Sequence, residues 1–106
     1  MAWFILIVAG AFEVAWASLL DETKGFSRRL PTLGFVVTLG ISMYLLSAAT
    51  RTIPIGTGYA VWVGIGAVGT FLVGVLVKGD ATNIRQIIAI SALIASIVAV
   101  KATAPA

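Results

Sequence analysis

Polar residues in this chain are confined to short clusters, and long apolar stretches run between them. The first stretch is Ala2 to Leu20, with Glu13 as its only charge. Asp21, Glu22, Lys24, Arg28 and Arg29 then crowd a loop that ends at Pro31. The second stretch is Thr32 to Thr50, and Arg51 follows it. Pro54 opens the third, where a missing N–H is tolerated, and that stretch continues to Val77. Lys78-Gly79-Asp80 forms a polar turn reaching Arg85, and the last run is Gln86 to Val100, closed by Lys101. Uncharged stretches of this length read as transmembrane helices. The pattern therefore predicts an all-α membrane protein whose residues 1–106 form one four-helix domain, with spans at about 2–20, 32–50, 54–77 and 86–101. At 1.5 Å per residue the last run reaches only about 22 Å, short of the roughly 30 Å hydrocarbon core. Lys101 can extend it by snorkelling its ammonium to the interface.

Composition agrees with the pattern. The 106 residues are 60% hydrophobic and 10% charged, with a mean hydropathy of +1.12, whereas charged residues make up about a quarter of a soluble domain. Met1-Ala2-Trp3 leads straight into the first run without the basic segment a cleaved signal would have, so a retained first helix is expected. Cysteine and histidine are both absent. Disulfides, thiolate chemistry and an ordinary metal site are therefore not expected. No nucleophile–base pair can be assembled, so neither an enzyme nor a cofactor is expected. The net charge of +3 sits at the ends of apolar runs, which suits interface anchoring and not nucleic acid. Lys24, Arg28, Arg29, Lys78 and Arg85 lie on the face of the first and third loops, against Arg51 and Lys101 on the other. That bias favours both termini outside the cytoplasm.

Glu13 is the residue that demands a reason. A carboxylate at mid-span is costly, and intramembrane acids are functional candidates by default. It can hold a proton or a cation, with little reason to hold both, and this exclusion is the minimum machinery for exchanging protons against a cationic substrate. Gly10, Glu13 and Trp16 recur every three residues, which places them near one helix face. A glycine there allows close approach, and an indole offers a flat face and an N–H donor. Tyr59 and Trp62 repeat the spacing on the third span, with Trp62 about two turns in, deeper than an interfacial belt. Gly56, Ala60 and Gly64 form a small-residue ridge, and Gly64 with Gly66 marks a plausible bend. Ser42 and Tyr44 are the polar candidates of the second span. Ala89, Ala92 and Ser96 give the last span a small-residue packing seam. Four short helices can hardly enclose a midplane cavity and also switch its access, and no inverted repeat is visible. A dimer supplying the two halves is the economical solution.

These residues resemble the small multidrug resistance family over essentially the whole chain. The carrying segments are AWFILIVAGAFEVAWA, SMYLLSAAT and PIGTGYAVWVGIGAVGT. The G-x-x-E-x-x-W pattern of Gly10, Glu13 and Trp16, with Ser42 and the Y-A-x-W of Tyr59 to Trp62, is similar to the guanidinium-exporter subtype. The resemblance implies a multi-pass protein of the cell inner membrane that exports guanidinium-type cations against protons as an antiparallel dimer. It implies that Glu13 binds cation and protons, that Ser42 and Trp16 hydrogen-bond or orient it, and that Tyr59 and Trp62 line the site. Guanidinium, a planar fork of donors, suits a carboxylate and an aromatic face. Departures from the family pattern are Lys78-Gly79-Asp80 in the third loop, Asp21-Glu22 after the first span, and Ser96 and Ala99 in the seam of the last. The charge bias leaves two partners open: an identical chain, or an oppositely inserted homologue. Competing readings are an exporter of quaternary ammonium and multidrug cations, and a non-transporting structural subunit of a membrane complex.

Overall fold

A computed structural model of the chain describes residues 1–104. Four helices account for it: α1 (Ala2–Leu20), α2 (Arg29–Ala49), α3 (Ile55–Leu76) and α4 (Ile84–Thr103). All four are long and apolar enough to cross a membrane, and there is no strand among the described residues. The chain is a multi-pass membrane protein.

The helix ends follow from local chemistry. α1 passes into a 3-10 turn, Asp21–Thr23, whose Thr23 hydroxyl donates to the Leu20 carbonyl at 2.7 Å. Lys24, Gly25 and Phe26 then take positive φ in succession (47°, 70° and 68°), which reverses the chain within three residues. α2 begins at Arg29, three residues before the uncharged run starts. Pro31 does not delay it, because the first turn of a helix has no use for the missing N–H. α4 is also longer than its uncharged run. Asn83 caps it by accepting from the Gln86 N–H at 3.0 Å, and its 20 residues reach about 30 Å. Arg85 and Lys101 sit inside its end turns, and the Lys101 ammonium lies 5.0 Å from the centre of the Trp3 ring. That contact holds the tip of α4 to the start of α1.

The molecule is a slab of 44 × 35 × 17 Å. α1 is central and packs along both α2 and α3, while the α4 backbone approaches only α3. The core is Leu6, Ala9, Leu46, Ala49, Ile53, Val61 and Trp62. Small residues set the close approaches: a Cβ on Gly64 would stand 2.6 Å from Ile97 Cδ1, and one on Gly58 2.9 Å from Thr50 Cγ2. Gly56 and Ala60 of the expected ridge are exposed instead, so only Gly64 packs within the chain. Ala89, Ala92 and Ser96 are exposed too, and no α4 residue is buried.

Candidate functional site

The site is built where α1, α2 and α3 meet at mid-depth. Glu13 is 9% exposed, Ser42 fully buried and Trp62 6% exposed. Trp62 therefore belongs to the protein interior, and its indole N–H must find a partner there. It donates to Ser42 Oγ at 2.9 Å, and Ser42 Oγ donates to the Ala9 carbonyl at 2.7 Å. One hydroxyl thus ties all three helices together. The Ala9 carbonyl is the acceptor for the Glu13 N–H in a regular helix, so the serine braces the backbone turn that carries Glu13.

The carboxylate itself rests on α3. Glu13 Cδ and Oε1 lie against Gly66, so closely that a Cβ there would overlap them. Glu13 Oε1 is buried and has no hydrogen-bond partner within the protein. Gly64 and Gly66 both lie inside the uninterrupted helix α3. What they provide here is room, Gly64 for Ile97 and Gly66 for Glu13.

Three sequence expectations change at this level. Ser42 bonds Ala9 and Trp62, not the Glu13 carboxylate. Gly10 is not open to a ligand, because Ile65 fills the space above it: a Cβ on Gly10 would stand 2.6 Å from Ile65 Cγ2. Trp16 faces differently again, packing edge-on against Phe35 of α2 (centroids 5.7 Å apart, planes at 88°). The reason is angular. At 100° per residue each three-residue step falls about 60° short of a full turn, so Gly10 and Trp16 lie about 120° apart. The Trp16 N–H is buried without a partner and does not bond Glu13. Tyr59 packs at a tilt against Trp62 (centroids 5.5 Å, planes at 47°) but is 55% exposed. Tyr44 is exposed on α2. No cluster of three metal-ligating acids occurs among the described residues.

Sequence reasoning missed Gly66 as the seat of the carboxylate, reading it only as a bend. It also missed Ser18 and Thr70, whose hydroxyl oxygens are buried and unpartnered. Glycines at 66, 69 and 74 form a stripe on α3 that could have been matched to α1 once the two helices were known to be neighbours.

The serine bridge is testable by itself. Ser42→Ala leaves the Trp62 N–H buried without an acceptor, and should lower stability in detergent by about 1–2 kcal/mol. Chemical unfolding followed by tryptophan fluorescence measures it, and an unchanged midpoint would show that the bridge carries no net energy.

The family profile described as Small Multidrug Resistance protein matches residues 1–94. The chain is 42% identical over 104 residues to a guanidinium exporter of Salmonella typhimurium, covering 98% of this chain and 99% of that one. It is 42% identical over 101 residues to a guanidinium exporter of Yersinia pestis, covering 95% and 97%. A guanidinium exporter of Citrobacter freundii is 40% identical over 101 residues, covering 95% and 96%. This chain belongs to the small multidrug resistance family.

Proposed function

We propose that this chain exports guanidinium-type cations across the membrane in exchange for protons, with Glu13 holding cation and proton in alternation. The observation that carries the reading is the Glu13 carboxylate: buried at mid-span, seated on Gly66, and with Oε1 unpartnered within the protein. An acceptor left in that state is matched by a proton or by a cationic donor. Membership of the family and the likeness to guanidinium exporters support the same substrate class. Trp62 and Tyr59 supply a pair of tilted aromatic rings on α3, the helix that seats the acid, Ser42 fixes Trp62, and Trp16 offers a free N–H. Gly10 keeps α1 close to α3, and Gly64 and Gly66 are where α3 would bend during the cycle.

The working unit is an antiparallel pair of chains, either two copies or this chain with an oppositely oriented homologue. A slab 17 Å thick is at most two helices deep, so one chain cannot surround a substrate. The exposed Tyr59, the free ridge of Gly56 and Ala60, and the unburied α4 supply apolar and small-residue surface for a second chain. The test is reconstitution of this chain alone in liposomes with an outward guanidinium gradient. Proton entry coupled to guanidinium exit is expected. Guanidinium movement without protons would overturn the antiport.

A further inference from the structure

A groove lined without Glu13 runs between α1 and α4. The α4 backbone approaches α3 and not α1, drawn in where Ile97 packs on Gly64. What is left between α1 and α4 is a groove of about 540 Å³, with Ala11 and Val14 on one wall, Ile94 and Val98 on the other, and Ile65 and Gly69 of α3 as its floor. Past Ile65 and Val98 it continues into a further 220 Å³ that ends at Trp3 and Lys101. Those two are the only lining residues of either part whose side chains carry a polar atom. A cationic substrate finds no acceptor here. Apolar matter fills such a groove best, because lining atoms without neighbours lose their dispersion contacts.

The two ends define the occupant. At the inner end Val14 packs on Gly69. At the outer end the Lys101 ammonium rests 5.0 Å from the centre of the Trp3 ring and joins the two walls. From Trp3 to Val14 is about 16 Å along α1, half of the roughly 30 Å hydrocarbon core. The groove thus has the depth of one leaflet, which suits a lipid chain and not a helix that crosses both. Charge at the outer end is of one sign. Arg51 and Lys101 belong to this face, whereas Asp21, Glu22 and Asp80 lie at the other and Glu13 at mid-span. Lys101 has no carboxylate partner among the described residues. Trp3 also lines a hollow of about 420 Å³ with Thr52, Pro54 and Ala104, room for a headgroup beside the ammonium.

We propose that this groove is a binding site for an anionic phospholipid: one acyl chain lies between α1 and α4 on the floor of α3, and the headgroup phosphate meets Lys101 beside Trp3. The inference is independent of the transport reading. An ammonium has three donors, so Lys101 can face the Trp3 ring and a phosphate together, and basic residues at a membrane surface attract anionic headgroups. The site also stays open in a paired molecule. At 100° per residue Ile94, Val98 and Lys101 share one side of α4, nearly opposite Ala89, Ala92 and Ser96. A second chain seated on that small-residue seam leaves the groove to lipid. The bound chain then supplies the packing that α1 and α4 do not make with each other.

Native mass spectrometry of the full chain, released from detergent containing equal amounts of phosphatidylglycerol and phosphatidylcholine, reads the site directly. One phosphatidylglycerol should stay on each chain, preferred over phosphatidylcholine by at least about fivefold, the weight of one basic residue near a membrane surface. Lys101→Gln should abolish the preference, and Lys101→Arg should keep it. Ala11→Phe, at an exposed position on the groove wall, should fill the groove and lower retention of both lipids at least about tenfold. Equal retention of the two lipids by the wild type, or retention that survives Ala11→Phe, would overturn the site. The chain has no cysteine, so Ala11→Cys reports on a second copy. A disulfide-linked pair formed by that variant in phosphatidylglycerol vesicles would put another chain in the groove and overturn the lipid, whereas an uncrosslinked variant that still retains phosphatidylglycerol supports it.

Discussion

Glu13→Gln abolishes guanidinium-driven proton movement in liposomes, leaving no rate above that of protein-free vesicles. Glutamine fits the same space on Gly66, so the helix packing is kept. What goes is the negative charge and the exchangeable proton. Removing one member of a buried charge pair costs about 2–5 kcal/mol of binding, which is roughly 30- to several-thousand-fold in Kd. The amide also cannot lose a proton when the cation arrives, so coupling disappears even where residual binding persists. Stability should not suffer, because a neutral amide is easier to bury than a carboxylate. The result therefore separates function from folding: an unfolding midpoint at or above wild type, with no transport. Glu22→Gln, at an exposed site paired with Arg28 at 3.7 Å, should transport normally. Proton movement retained in Glu13→Gln would mean that another group carries the exchange.

How much of this was legible in the sequence depends on which surface a residue faces. The four helices, the depth of Glu13 and the interior position of Trp62 all came from hydropathy and spacing, because charge is excluded from the hydrocarbon. Which helix each face meets did not. In water an amphipathic stripe marks the inward side. In lipid both sides are apolar, so the pattern carries no facing information. Leu6 is fully buried while Phe4 and Ile7 are exposed on the same helix, and nothing in their chemistry separates them. Hence Ser42 could be named as a polar candidate, but not as the bridge from Trp62 to Ala9. Helices α2 and α4 begin before their apolar runs, and α4 also ends after its run, for a related reason, whereas α1 spans the same Ala2–Leu20 as its run. Arg29, Arg85 and Lys101 mark where the apolar run stops, yet each lies inside a terminal turn of its helix.

The same absence of facing information makes exposure informative once the packing is known. Arg28 pairs with Glu22 and Lys78 with Asp21, so two of the five basic residues of the first and third loops have an acid beside them. Exposed pairs of this kind contribute little to stability. Acidic neighbours weigh little in membrane orientation, so the excess of about three basic residues on that face persists. Of the two partners proposed above, that excess suits the oppositely inserted homologue better than an identical chain.

Gly66→Ala should lose transport without losing the fold. A Cβ at this position falls on Glu13 Cδ and Oε1, and within 2.7 Å of Glu13 Cγ. Something must move, and the movable partner is the end of a flexible side chain, not the α3 backbone. The energetic cost of that shift is set against the better helix propensity of alanine, worth about 1 kcal/mol over glycine. The unfolding midpoint should therefore stay within about 1 kcal/mol of wild type. The carboxylate, however, is pushed off its seat by about the radius of a methyl group. A displacement of roughly 1 Å at a reacting group can cost on the order of a hundredfold in rate, so guanidinium binding and coupled exchange should fall at least about tenfold. Gly40→Ala is the control, because a Cβ there meets nothing within 4 Å; inside α2 it should gain up to about 1 kcal/mol from helix propensity and leave transport unchanged. Equal activity in Gly66→Ala and Gly40→Ala would mean that the seat on α3 does not position Glu13. Loss of activity with an unchanged midpoint would make a glycine that touches no substrate a determinant of where the carboxylate meets it.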